Sequence, residues 1–180
     1  LASENTINTL KAEKDAAKQE ELRKDAKDCF NKALSIMEPR IADLMAMESK
    51  NEKDTAELMA LRFQSGKMHY LYAGMYDDKK AVEAQAHLQK SREILEEFQV
   101  DYSTEVLSFE ATKILADINL DEGKIDEALD QMKEGCGQLL DAVHENPRLG
   151  DDDVIRDLVS GMFLELSKIY LERKNQPGDA

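Results

Sequence analysis

Apolar side chains recur at alternating three- and four-residue spacing along almost the whole chain, which is the period of an amphipathic α-helix. The pattern is most complete near the amino end, in Leu22, Ala26, Cys29, Phe30, Ala33, Leu34 and Met37. Only eight glycines and three prolines are present, too few for the many turns of a fold built from short strands. We therefore predict an all-α protein of about seven to eight antiparallel helices and no sheet.

Local signals predict where these helices begin and end. Pro39 lies where the first long helix would end or restart. Asp54, with Glu57 three residues later, fits a capping box that would open the next helix. Ser103 is the predicted N-cap of a later helix, and Gly123 marks a turn between two others. Helices are predicted over residues 54–76 and 125–144.

Three of the predicted helices repeat one arrangement, with small or apolar residues at a starting position and again four and seven residues later. The sets are Ala26, Phe30 and Ala33; Ala84, Leu88 and Ser91; and Ala128, Met132 and Gly135. A small residue lets one helix cross its neighbour closely, and a larger residue one turn later fills the groove between them. We expect Ala84 and Ala128 to be buried at such crossings. Gly135 and Gly137, inside one predicted helix, likewise favour close packing over a phosphate-binding loop.

Residues 105–140 carry the clearest copy of this arrangement. Leu115 and Ala116 lie in its first helix, Gly123 lies at the turn, and Ala128 lies in its second helix, within the run LADINLDEGKIDEALDQM. This segment resembles a tetratricopeptide repeat (TPR), a helix-turn-helix unit of about 34 residues. The resemblance implies a right-handed solenoid of stacked antiparallel hairpins with a concave groove.

We expect residues 1–180 to form a single TPR-like domain. Residues 1–53 would supply N-terminal helices, and residues 54–100 and 103–144 would each form a helical hairpin. Residues 151–180 would be the first helix of a truncated further repeat.

Acidic residues outnumber basic ones, with 38 Asp and Glu against 24 Lys and Arg, for a formal charge of −14. The imbalance is concentrated in residues 91–180, which carry −13, whereas residues 1–90 carry −1. Such a field repels phosphate backbones and anionic lipids, so we expect no nucleic acid and no membrane among the partners, and a protein partner with a basic segment. Cys29 and Cys136 are too few for a disulfide framework, so we expect an intracellular, cytoplasmic protein.

The sequence predicts no metal, cofactor or catalytic site. Asp117, Asn119 and Asp121 match the start of a calcium-binding EF-hand loop. However, the glycine position of that loop is Glu122, and the position of its bidentate glutamate is Ala128. The three histidines show no ligand spacing with one another or with the cysteines. We therefore expect a protein that is not an enzyme and binds no cofactor.

The predicted function is a protein-interaction scaffold, or adaptor, that binds a helix or an extended basic peptide in the concave groove. The alternative is a structural subunit of a larger assembly, such as a motor-associated or complex-assembly TPR protein, with no separate peptide bound. A large exposed apolar patch on the convex side or on a terminal helix would favour the alternative. The candidate partner-binding residues are His69, Tyr72, Tyr76, Lys113, Asp117 and Glu165. The aromatic candidates would otherwise fill the core.

Overall fold

The computed structural model describes residues 15–174 as a succession of α-helices. The helices are α1 (Ala16–Ala46), α2 (Glu52–Ala73), α3 (Val82–Asp101), α4 (Val106–Asp121), α5 (Ile125–Glu145) and α6 (Asp153–Lys174), with a short 3₁₀ helix (Pro147–Asp151) before α6. No strand occurs within this range, which confirms the all-α prediction. The predicted total of seven to eight helices for the whole chain, and their solenoid arrangement, stay predictions.

Pro39 does not end the first helix, so the predicted break there is wrong. It lies inside α1, which runs for 31 residues from Ala16 to Ala46. A proline inside a helix removes one hydrogen bond and costs about 3 kcal/mol. Leu34 and Leu44 are buried on either side of it. Packing of these two side chains favours one continuous helix over a break.

The start of α2 is set by a capping box three residues before the predicted one. The Asn51 side chain accepts a hydrogen bond from the Asp54 N–H at 2.9 Å, and the Asp54 carboxylate accepts one from the Asn51 N–H at 3.4 Å. Glu57, the expected partner of Asp54, instead binds Arg40 of α1 through both carboxylate oxygens, each at 2.8 Å. The long-range ion pair and the nearer asparagine together displace the predicted cap.

The two ends of α4 are closed in different ways. Its N-cap is Glu105, which makes no side-chain capping bond, so the prediction of Ser103 as the N-cap is wrong. At the other end Gly123 has a φ of +77°, a left-handed conformation that favours glycine. The Lys124 N–H reaches back to the Asn119 carbonyl at 2.8 Å, which completes a Schellman motif. The turn predicted at Gly123 is confirmed.

The chain divides into two compact units, residues 1–95 and 96–180, and the boundary falls within α3. In unit 1, the described part of the core joins α1 to the end of α2 and the turn that follows it, through Ala26, Phe30, Leu34, Tyr72 and Met75. Farther along, the Ser91 hydroxyl of α3 donates to the Gly66 carbonyl of α2 at 2.8 Å in a buried contact. Ala84 is fully buried, as predicted.

Unit 2 has its core among α4, α5 and α6. Its buried members are Phe109, Ala116, Ala128, Leu129, Met132, Cys136, Leu139, Leu158, Met162 and Ile169. Gly135 of α5 lies where the three helices approach closely: a methyl group on it would come within 2.7 Å of Thr112 Cγ2 of α4 and 3.0 Å of Met162 Cε of α6. The predictions of burial at Ala128 and of close packing at Gly135 are therefore confirmed, whereas Gly137 is exposed.

Candidate protein-binding site

Unit 2 contains a groove of about 330 Å³ between the end of α3, α4 and α5. We call it the unit 2 groove. Its walls carry amide side chains, hydroxyl groups and two carboxylates, with one valine and one glycine. The lining residues are Glu96, Gln99, Val100, Ser103, Ser108, Thr112, Gln131, Glu134, Gly135 and Gln138.

The hydrogen bonds in this groove leave Gln99 and Gln138 able to accept from further groups, whereas Gln131 Oε1 already accepts from Asn119 Nδ2 at 2.9 Å. Gln99 Nε2 donates to the Ser108 carbonyl at 3.2 Å and to Thr112 Oγ1 at 2.7 Å. Gln138 Nε2 donates to Glu134 at 3.2 Å. The side-chain carbonyl oxygens of Gln99 and Gln138 are not used in these bonds, and each oxygen has two lone pairs. The groove therefore presents acceptors at fixed positions, as recognition of peptide N–H groups requires.

Unit 2, which contains the groove, is strongly acidic. Between residues 96 and 174 the chain has 20 Asp and Glu against 8 Lys and Arg, a net charge of −12. Glu96 and Glu134 lie at the groove itself, and both are exposed. A cationic segment approaching this surface gains in association rate and is selected over an anionic one.

A second groove of about 480 Å³ lies beside α1 in unit 1, and Tyr72 forms part of its wall. Its charged residues have both signs, with Glu20, Glu21 and Asp28 beside Lys24 and Lys27. Mixed charge gives no selection between cationic and anionic segments. The unit 2 groove is therefore the stronger candidate for a basic partner.

Three of the predicted binding residues meet on the face shared by α4 and α6, outside the unit 2 groove. Lys113 lies against Gly161 of α6, and its ammonium is 3.5 Å from Glu110. Glu165 pairs with Lys168 at 2.7 Å. The hydrogen bond to Glu165 raises the pKa of Lys168, and the charge of Asp117 adds to this effect. Each of these two ion pairs lies within one helix, and the helices are linked by the position of Lys113 beside Gly161 and by the Coulombic effect of Asp117 on Lys168.

The other three predicted residues lie in unit 1 and are largely enclosed. His69 and Tyr72 are buried, and Tyr76 is half-buried. Tyr72 stacks between Phe30, at a centroid distance of 5.5 Å, and His87, at 4.0 Å. Tyr76 carries the Lys27 ammonium 3.8 Å above its ring. For Tyr72 the core role is the one that the structure shows, although its edge reaches the α1 groove.

Sequence reasoning missed a contact between His69 and His87, which we call the histidine pair. Their Nδ1 atoms are 2.9 Å apart, and His69 Nε2 lies 3.4 Å from a carboxylate oxygen of Glu38. Burial lowers the pKa of both imidazoles, and the neighbouring His69 lowers that of His87 further. Among the described residues no cluster of three or more His, Cys, Asp or Glu side chains is arranged to hold a metal ion.

Helix α6 exposes a row of large apolar side chains that we call the α6 stripe. It consists of Phe163, Leu164, Tyr170 and Leu171. Leu164 and Leu171 are 60% and 61% exposed and lie one heptad apart, and each directly follows an aromatic residue of the stripe. The α6 residues that pack in the core, such as Met162 and Ile169, are buried instead. A heptad-spaced apolar row facing solvent is typical of a helix surface that another protein element covers.

Comparison of the chain with models of known protein families, with curated proteins and with solved structures finds no match. Within residues 15–174, none of the helices has both the length and the apolar character required to cross a bilayer. The described residues offer four candidate functional features: the two grooves, the α6 stripe and the histidine pair.

Proposed function

We propose that this chain is a protein-interaction module that holds an extended, basic segment of a partner protein in the unit 2 groove. The observation that carries the proposal is the combination of amide and hydroxyl groups and two carboxylates in the groove with a net charge of −12 over residues 96–174 of unit 2. Amide side chains suit the main chain of an extended peptide, and exposed carboxylates suit its lysines and arginines. Such a module has no need of a cofactor or of catalysis.

Helices α4, α5 and α6 supply what a TPR-like unit would need, and we include that arrangement in the proposal. Helices α4 and α5 form a hairpin with a glycine at its turn, and α6 packs on both of them. Small residues stand at the crossings, as Ala128 and Gly135 do. Cys29 is an exposed free thiol, which suits a reducing, cytoplasmic compartment.

Binding of short fluorescein-labelled peptides to the purified chain tests the proposal. Peptides rich in lysine and arginine should bind, and peptides in which glutamate replaces those residues should not. Their affinity should fall several-fold between about 50 and 200 mM salt, because added salt screens exposed charges. An affinity that does not change with salt would contradict the electrostatic part of the proposal.

Two pairs of variants test whether the peptide binds in the unit 2 groove. Glu134→Lys should weaken binding several-fold, whereas Asp141→Lys makes the same change of charge on α5 outside the groove and should have a smaller effect. Ser103→Trp should block the groove without changing its charge, whereas Thr104→Trp, at an exposed neighbour outside the lining, should not. Equal effects of the two members of either pair would show that the peptide binds elsewhere.

The α6 stripe favours a second candidate function, that of a structural subunit in a larger assembly. Leu164 and Leu171 would then contact another subunit rather than water. Leu164→Gln together with Leu171→Gln should release the chain from its native complex, as judged by size-exclusion chromatography of cell extract, and leave peptide binding unchanged. Retention of the variant in the complex would exclude the stripe as its contact.

A further inference from the structure

Side chains from three helices of unit 1 form a hydrogen-bonded line through the histidine pair. Glu38 comes from α1, His69 from α2 and His87 from α3. His69 is only 6% exposed, and the Tyr72 ring stacks on His87 at a centroid distance of 4.0 Å. This line is separate from the unit 2 groove and from the proposed peptide binding.

The arrangement determines which nitrogen carries each proton. The Glu38 carboxylate accepts, so His69 Nε2 must hold a hydrogen, and a neutral His69 then has a lone pair on Nδ1. His87 must therefore donate from its own Nδ1, across the 2.9 Å contact. The chain of donation runs from His87 to His69 to Glu38, with both imidazoles neutral.

We propose that the histidine pair is an acid-sensitive latch that fastens α2 to α3 within unit 1 and opens when both rings become protonated. A first proton can enter at His87 Nε2, because this leaves the Nδ1 to Nδ1 hydrogen bond intact. A second proton has to enter at His69 Nδ1, which is the acceptor of that bond. Two N–H groups then point at each other between two cations, so the rings must separate.

The groups around the pair act on this titration in opposite directions. Burial opposes protonation of both rings and lowers the pKa of each. Glu38 of α1 favours charge on His69, whereas Lys90 of α3 disfavours it. The other charged or titratable side chains facing the cluster are Lys27 of α1, Tyr72 of α2, Tyr76 in the turn after α2, and Glu83 of α3. One carboxylate does not offset the burial of two imidazolium rings, so the latch opens on the acid side of neutrality.

The opening is local because the same two helices are joined again about one turn away. There Ser91 of α3 donates to the Gly66 carbonyl of α2 in a buried bond that does not titrate. Separation of the rings should therefore loosen α2 and α3 around residues 69 and 87. The Tyr72 stack on His87 would be lost in the same step.

Proton NMR of the unmodified chain provides the first test. The imidazoles of His69 and His87 should titrate below a histidine reference peptide and in two coupled steps, since each ring senses the charge of the other. Titration of both rings together with the reference peptide would overturn the proposal. This measurement requires no variant to fold.

Amide hydrogen exchange, measured at neutral pH and at a pH below the titration of the histidine pair, provides the second test. After correction for intrinsic exchange, amides near residues 69 and 87 should exchange at least about tenfold faster below the pair's titration than at neutral pH, which corresponds to 1.4 kcal/mol of lost protection. His69→Gln with His87→Gln removes both titrating rings, and it should abolish this pH dependence. His144→Gln, at an exposed histidine of α5, should keep it. Persistence of the full acceleration in the double variant would refute the latch.

Discussion

Two glycines of α5, separated by a single residue, should respond to alanine in opposite directions. Gly135 lies in the helix crossing, where an added methyl group would come within 2.7 Å of Thr112 Cγ2 and 3.0 Å of Met162 Cε. A methyl group on Gly137 would have no atom within 4 Å. The two substitutions make the same chemical change in the same helix, so they separate backbone propensity from packing.

The expected magnitudes follow from those distances. Alanine is better than glycine inside a helix by about 0.5–1 kcal/mol, which Gly137→Ala should gain in full. At position 135 the methionine end can move, but Thr112 cannot rotate away, because its hydroxyl accepts from Gln99 and donates to the Ser108 carbonyl. Overpacking of such a site costs about 1–3 kcal/mol. We therefore expect Gly135→Ala to lie about 1–3 kcal/mol below Gly137→Ala in unfolding free energy.

Urea unfolding followed by circular dichroism measures both variants beside the parent chain. A difference of 1 kcal/mol corresponds to about 2–4 °C in the melting temperature of a chain of this size, so thermal scans give an independent value. Equal stability of Gly135→Ala and Gly137→Ala would contradict the expected overpacking at Gly135. That result would mean that α4 and α5 lie farther apart at this crossing than the structure shows.

Three further outcomes follow from contacts described above. Asn51→Ala removes the side chain that caps α2 and should cost about 1 kcal/mol in urea unfolding, with loss of the cap bond as the cause. Ala128→Asp places an unpaired charge in a fully buried crossing and should cost more than about 3 kcal/mol, so an unchanged melting temperature would contradict its burial. Because the pKa of His69 and of His87 is lowered in the fold, the unfolded chain binds more protons below their ordinary value of 6.5. The unfolding free energy should therefore fall as the pH drops below 6.5, and the part due to these rings should disappear when both are glutamine.

The features that the sequence predicts correctly are those that neighbouring residues decide. Gly123 follows a helix whose pattern stops there, and only a glycine closes that turn without strain. Ala128 begins the next apolar stripe, so its burial follows from helical periodicity alone. The all-α class and the position of α5 depend on the same local information.

The errors arise where distant residues decide the outcome. Pro39 stays inside α1 although its local cost favours a break, since α1 packs on both sides of it. Glu57 leaves the predicted capping box because Arg40, 17 residues earlier, binds it more completely. His69 and His87 are 18 residues apart on two helices, and no spacing rule reveals their contact without the register of the hairpin.

The Thr112 side chain belongs both to the interior of unit 2 and to the wall of the unit 2 groove. Its methyl group fills the space beside Gly135, while its hydroxyl fixes the orientation of Gln99 in the groove wall. A substitution at Thr112 that suits a new ligand is therefore disfavoured, because it also lowers the folding stability of unit 2. Diversification among descendants of this chain should concentrate at exposed rim positions such as Gln138, whereas Gln131 is constrained because its Oε1 accepts from the buried Asn119 Nδ2 at 2.9 Å.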